Sequence, residues 1–246
     1  MIKFEKTAPS SNIATELVCL YGQPGVGKSY FCAALDAETE KTVIFLDFDG
    51  GLRQLAANRI ACVDNGTFGW DTMIKTLTEA FNEAKTSKKR EYIFVVDTFT
   101  KALASLEAKI MAQYHVKINS DLGFKGWGEI QKHVNIFMQI CKKIGGIIFI
   151  CHEVLRETDT ETGGKIFQAM PDIPQKRFNK IVGDLDHLVR LTTITDVDDD
   201  AGVIETRVLT GKPSFAYVAK SRGGIYSRNM VANWSNVFKA YKVLNK

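Results

Sequence analysis

The segment Gly22-Gln23-Pro24-Gly25-Val26-Gly27-Lys28-Ser29, followed by Tyr30, has the spacing GxxxxGK[ST] and sits between an apolar run and a helix-forming one. Glycines let such a loop wrap so that backbone N–H groups face phosphate oxygens, and the helix that follows offers its positive end. At those positions Lys28 reaches β- and γ-phosphates and the Ser29 hydroxyl ligates Mg²⁺. The chemistry expected is binding of a nucleoside triphosphate, ATP by default, with Mg²⁺. Asp97 closes the apolar run YIFVVD and fits the carboxylate that holds Mg²⁺ through water. Thr98 comes next, so the carboxylate that activates water must lie elsewhere. In VIFLDFDGG, Asp47 and Asp49 are two apart and share one face of a strand end.

These groups need a scaffold, and the apolar pattern supplies one. Strands are expected at 16–21, 42–47, 59–63, 91–97 and 146–151, with helices at 28–38, 70–86, 100–115 and 127–143 between them. Near-continuous apolar strands such as IIFI require a sheet covered on both faces. After residue 185 the pattern changes to strands at 187–194, 203–209 and 214–219, the first two joined by an acidic turn as an antiparallel hairpin. A helix over 233–245 follows, with Asn233 as its N-cap. The fold class is α/β: three layers, a mostly parallel sheet with helices on both faces, and an antiparallel hairpin extension in the C-terminal part. One domain over 1–246 is expected, its core at about 13–225.

Asp49 in D-x-D-G resembles the RecA family, which carries its catalytic acid at the end of the strand after the P-loop helix. The family has Glu there, so Asp49 is one methylene shorter, which implies slow hydrolysis. His152-Glu153 at the end of GIIFIC matches the family's γ-phosphate sensor, usually Gln, and imidazole can donate to a phosphate oxygen. Lys220-Ser221-Arg222 resembles the KxK or KxR element that reaches the nucleotide of the next subunit. Two long segments fall where the family has DNA-binding loops. Residues 113–127 interleave Lys117 and Lys125 with Tyr114, Phe124 and Trp127; residues 155–171 carry Arg156, Lys165 and Phe167. The whole is similar to the phage-encoded RecA-like single-strand annealing recombinases. That resemblance implies a three-layer RecA-like P-loop domain and ATP-linked binding of single-stranded DNA. It also implies strand annealing, ring or filament assembly of the chain with itself, and a single-strand-binding protein as companion.

Other features bound the reading. The 246 residues carry net charge +4 and no apolar run near the roughly 20 residues of a spanning helix, so no membrane partner is expected. The N-terminus has no signal-peptide core, and five cysteines without a CxxC pair read as reduced thiols, so a cytoplasmic location is expected, the host cytoplasm if phage-encoded. Residues 196–202 resemble a calcium loop, but Gly202 falls one place late and Arg207 stands where Glu is needed, so a solvated turn is expected. Lys88-Lys89-Arg90 reads as a soluble turn. Three rivals stay open: a small-molecule kinase, a RecA-class motor or helicase, and a nucleotide-gated protein-interaction module.

Overall fold

The apolar runs take the middle of the sheet because their side chains must be covered on both sides. β1 (Leu17–Gly22) is buried throughout, and beside it lie β5 (Ile147–Asp159) and β4 (Tyr92–Asp97), then β2 (Thr42–Asp47) and the edge strand β3 (Asn58–Ala61), all parallel. On the other side of β1 come β7 (His187–Asp198), parallel to it, then β8 (Gly202–Thr210) and β10 (Met230–Val231), each antiparallel to its neighbour. β6 (Lys165–Pro171) pairs with the outer half of β5, and β9 (Lys220–Ser221) with the start of β7. The computed structural model describes residues 12–87, 89, 91–159, 163–198 and 202–245.

Helices α2 (Gly69–Ser87), α3 (Phe99–Gln113), α4 (Gly123–Ile144) and α5 (Gln175–Asp184) cover one face. They do so through residues three and four apart: Trp70, Met73 and Leu77; Leu103, Leu106 and Ile110; Ile130, Val134, Phe137 and Cys141. The opposite face takes α1 (Lys28–Ala33) and α6 (Trp234–Leu244), whose Phe31, Cys32, Trp234, Val237 and Tyr241 meet Val18, Leu20, Val95 and Ile150. This is the three-layer arrangement that the sequence predicts. α6 packs on its own chain: Trp234 Nε1 donates to the Phe31 carbonyl at 2.7 Å and its ring stacks on Phe31 at 4.5 Å, while Asn233 accepts from Asn236 N as the N-cap. Under β1, Glu16 receives His187 Nε2 at 3.0 Å and the Tyr241 hydroxyl at 2.5 Å. His187 Nδ1 lies 3.3 Å from the Ser221 hydroxyl. All five cysteines are buried and free.

Several expected elements differ. The helix at 28–38 stops at Ala33 and tightens into a 3₁₀ turn, Ala34–Ala37, after which the Asp36 carboxylate takes the Val43 N–H and starts β2. The segment 155–171 is no loop: β5 runs on to Asp159 and returns as β6 in an antiparallel hairpin. Residues 113–127 are shortened by a 3₁₀ turn at Asn119–Leu122, and Phe124, Lys125 and Trp127 stand on the first turn of α4. The strand expected at 214–219 is only an isolated pairing, with Ala216 and Val218 bonded to Ala169 and the Tyr21 hydroxyl on the Val218 carbonyl. Within 196–202, residues 199–201 lie outside the described residues, as do Lys88 and Arg90. Among the described residues, no helix is long and apolar enough to cross a membrane.

Candidate functional site

The carboxyl ends of β1, β4, β5 and the turn after β2 converge on one cleft, as open α/β sheets place their ligands. β1 ends at Gly22, where any Cβ would meet the Leu191 carbonyl oxygen at 2.2 Å, so glycine alone lets β7 close against the loop. Gly25 and Gly27 hold φ of 79° and 95°, the left-handed region that turns the loop back on itself. α1 then opens with Lys28, whose Nζ donates to the carbonyls of Gly22 and Gln23 at 2.8 Å each. Burial pushes the Lys28 amine below its ordinary range. The Ser29 hydroxyl donates to Asp97 Oδ2 at 2.6 Å. Asp97 is 5% exposed, and burial, reinforced by Asp49 and Asp47, pushes its carboxyl up to about 6 despite the bond from Ser29.

The two aspartates after β2 divide the work. Asp47 is buried and its Oδ1 accepts the N–H groups of Asp49 and Gly50 at 3.1 and 2.7 Å, which shapes the turn. Asp49 lines the cleft with Lys28, Ser29, Asp97, Thr98 and His152. Its carboxylate is paired with Lys101 Nζ at 2.6 Å. Lys101 escapes a sequence reading; the available signal is its place on the first turn of the helix that follows Asp97. His152 Nδ1 and Thr98 Oγ1 are buried with no hydrogen-bond partner among the described residues. Polar atoms left so in a cleft are available to a ligand or to water.

The remaining expected residues are not gathered there. Lys220 and Arg222 belong to the far end of the sheet, since β9 pairs with the first residues of β7, whereas the P-loop leaves the last residue of β1. Lys220 Nζ donates to the carbonyls of Val182, Gly183 and Leu185 at 2.9, 3.2 and 2.6 Å, closing the C-terminal end of α5, where a cation meets the helix dipole. Arg222 bonds Asp186 at 2.8 Å and is over half exposed. Arg156 is tied to the Ile173 carbonyl and to Gln175 at 2.7 and 2.8 Å. Lys165 pairs with Glu157, Phe167 is 67% exposed, Lys117 and Lys125 are exposed, and Trp127 lies under Lys176 and Arg177 at 5.8 and 5.5 Å.

Hard oxygen donors at Ser29 and Asp97, a lysine parked on loop carbonyls and two unpartnered polar atoms fit a nucleoside triphosphate with Mg²⁺. Ser29 and Asp97 would hold Mg²⁺ there, and the ion would supply positive charge to offset that of the phosphates. The fold and this cleft together define a P-loop ATPase. A family model described as an AAA domain matches residues 15–223, and the chain belongs to that family. It uses ATP and Mg²⁺ accordingly. A comparison with curated proteins finds no match. Among solved structures the chain is similar to an ATPase from the type III secretion system of pathogenic bacteria, with TM-score 0.45 and 13% identity, covering 73% of this chain and 52% of that one. It is also similar to the assembled ATPase EscN, solved with its central stalk EscO from enteropathogenic E. coli, with TM-score 0.45 and 11% identity, covering 73% and 42%. The chain spans about half the length of the solved structures it matches.

Proposed function

We propose that this ATPase, acting as one RecA-like unit over 1–246, binds single-stranded DNA under the control of ATP and anneals complementary strands, in the manner of phage recombination proteins. The observation that carries the reading is the continuity of β5. Its buried half delivers Ile150 and His152 to the nucleotide cleft, and the same strand continues into the hairpin with β6. By the period of two, Leu155, Glu157, Lys165 and Phe167 fall on one face of that hairpin, and Arg156 on the other. Leu155 and Phe167 are 64% and 67% exposed, an apolar pair beside a lysine on which bases stack while phosphates meet charge. Phe124, 95% exposed, stands with Lys125 and Trp127 at the start of α4 as a second such surface.

In this scheme Lys28 leaves its loop carbonyls for the phosphates, Asp49 orients the attacking water, and His152 senses the γ-phosphate and passes its state along β5. A neighbouring protomer completes the site across a ring or filament contact, where the exposed Arg222 is available once it releases Asp186; Lys220 stays with α5. Asp49→Asn is expected to lower turnover by about 10²- to 10⁴-fold while leaving ATP affinity little changed, as loss of a group acting on the water requires. Steady-state rates and a nucleotide titration separate the two effects, and a fall in affinity as large as the fall in rate would remove Asp49 from that role.

Hydrolysis measured with and without an unstructured oligonucleotide tests the proposal. Stimulation by DNA is expected, together with annealing of complementary strands. Phe167→Ala should weaken oligonucleotide binding by about tenfold, the loss of one stacked base. Hydrolysis indifferent to DNA overturns the nucleic-acid reading, and directional unwinding in place of annealing reassigns the protein to the motors.

A further inference from the structure

Three carboxylates crowd one end of the phosphate cleft: Asp97 at the end of β4, and Asp47 and Asp49 around the end of β2. Burial pushes the Asp97 carboxyl up, and the charges of Asp49 and Asp47 add to it. Each of those two neighbours is answered by one cation from another element. Arg59 on the edge strand β3 lies 3.6 Å from Asp47 Oδ2, and Lys101 Nζ lies 2.6 Å from Asp49 Oδ1. Lys101 is the third residue of α3, where the positive end of a helix repels an ammonium group. Helix chemistry thus disfavours a lysine at this place, and the pair with Asp49 offsets that. With the Lys101 side chain more than half exposed, the pair adds little to stability. Asp49 lines the cleft with Lys28, Ser29 and Asp97, whereas Lys101 is not part of that wall.

We propose that Lys101 is a positioning residue for ATP hydrolysis: its ammonium group holds Asp49 Oδ1 and so fixes the carboxylate in the orientation that leaves Oδ2 to the attacking water. The inference rests on the reading of Asp49 as the group that acts on that water and extends it to the residue that aims it. The turn after β2 leaves the need for such an anchor. The backbone of Asp49 is set, since its N–H donates to Asp47 Oδ1 at 3.1 Å and Gly50 follows at φ 65°. Its carboxylate is not set by the turn; among the described residues it is bonded to Lys101 alone. Rotation of an untethered carboxylate carries its oxygens through more than an ångström, and a misplacement of about 1 Å in a group acting on the reacting atoms costs up to about 100-fold in rate. Lys101 touches neither the nucleotide loop nor the cleft wall, so its effect on the reaction passes through Asp49.

The test is a double-mutant cycle of Lys101 and Asp49, read by steady-state kinetics, by Mg·ATP titration and by a thermal melt. Lys101→Ala is expected to lower kcat by about tenfold while leaving ATP affinity and the melting temperature unchanged. Lys101→Arg, which restores a cation that can pair with a carboxylate, should recover most of the lost rate. In the Asp49→Asn background Lys101→Ala should cost nothing further, because the group it aims is already gone. Wild-type turnover in Lys101→Ala overturns the proposal. A further tenfold loss in the Asp49→Asn background overturns it too, since Lys101 would then act elsewhere, and a fall in ATP affinity that matches the fall in rate makes Lys101 a nucleotide ligand instead. Asp49→Asn protein that hydrolyses ATP like the wild type removes the reading of Asp49 itself, and the proposal with it.

Discussion

Lys28→Ala is expected to weaken Mg·ATP binding by about 100-fold, the loss of two charge-assisted hydrogen bonds of about 1.5 kcal/mol each. In the ligand-free protein the ammonium group is held on the carbonyls of Gly22 and Gln23, in the place from which phosphate must draw it. Burial already depresses its pKa, so the charge is maintained at a cost that only a phosphate fully offsets. The alanine variant loses that unfavourable burial together with the two bonds, so it should stay folded. Nucleotide titration followed by intrinsic fluorescence, with a thermal melt of the free protein as control, measures both quantities. A folded variant that still binds ATP like the wild type would show that the loop works without its lysine.

The second large effect sets function against stability at one position. Asp97→Asn should lower turnover by about 10- to 100-fold, as expected for a group that orders a metal through water. The same change should stabilise the ligand-free protein. A carboxyl pushed from 3.8 up to about 6 by burial and by its neighbours Asp49 and Asp47 disfavours the folded state once ionised, by on the order of 3 kcal/mol. The sign follows from the raised value. Below about pH 4 the group is protonated whether the chain is folded or not, and the penalty is absent; it grows as pH rises towards 6 and is fully present above it. Asparagine keeps the acceptor for Ser29 and removes the charge, so at pH 8 its melting temperature should rise by about 6 to 12 °C. The gain should vanish at pH 4. An equal gain at both values would mean that packing rather than ionisation is responsible. Wild-type Mg·ATP binding should likewise weaken as pH falls through 6, because protons then compete for Asp97.

The parts of the site that are local in sequence were the legible ones. The P-loop announces itself because strand, glycines, lysine and helix are contiguous, and Asp97 because it closes an uninterrupted apolar run. Asp49 needed the resemblance to stand out from Asp47; the structure separates them by what they bond, Asp47 the turn's own N–H groups and Asp49 a lysine on another element. Lys220 illustrates the limit. A basic strand end reads as a free cation, yet its three acceptors are carbonyls from the end of a helix some 35 residues earlier. That helix, α5, is hard to read from sequence because only Phe178, Ile181 and the half-buried Val182 mark its apolar side and Pro174 precedes it. The β5–β6 hairpin was hidden differently: outside the core its alternating faces are both largely polar, so the period of two carries little hydrophobic contrast.

The Trp234 contact with Phe31 ties together two things that are far apart in sequence. Phe31 lies three residues beyond Lys28 on the same short helix, so the indole bonded to its carbonyl is a keystone set behind the phosphate-binding turn. Linkage makes any coupling through that contact reciprocal: a change at α6 that alters affinity in the loop is matched by an equal free-energy change at α6 when the loop is filled. Through Trp234 the last helix braces the helix that opens with Lys28, while its own Val243 faces solvent.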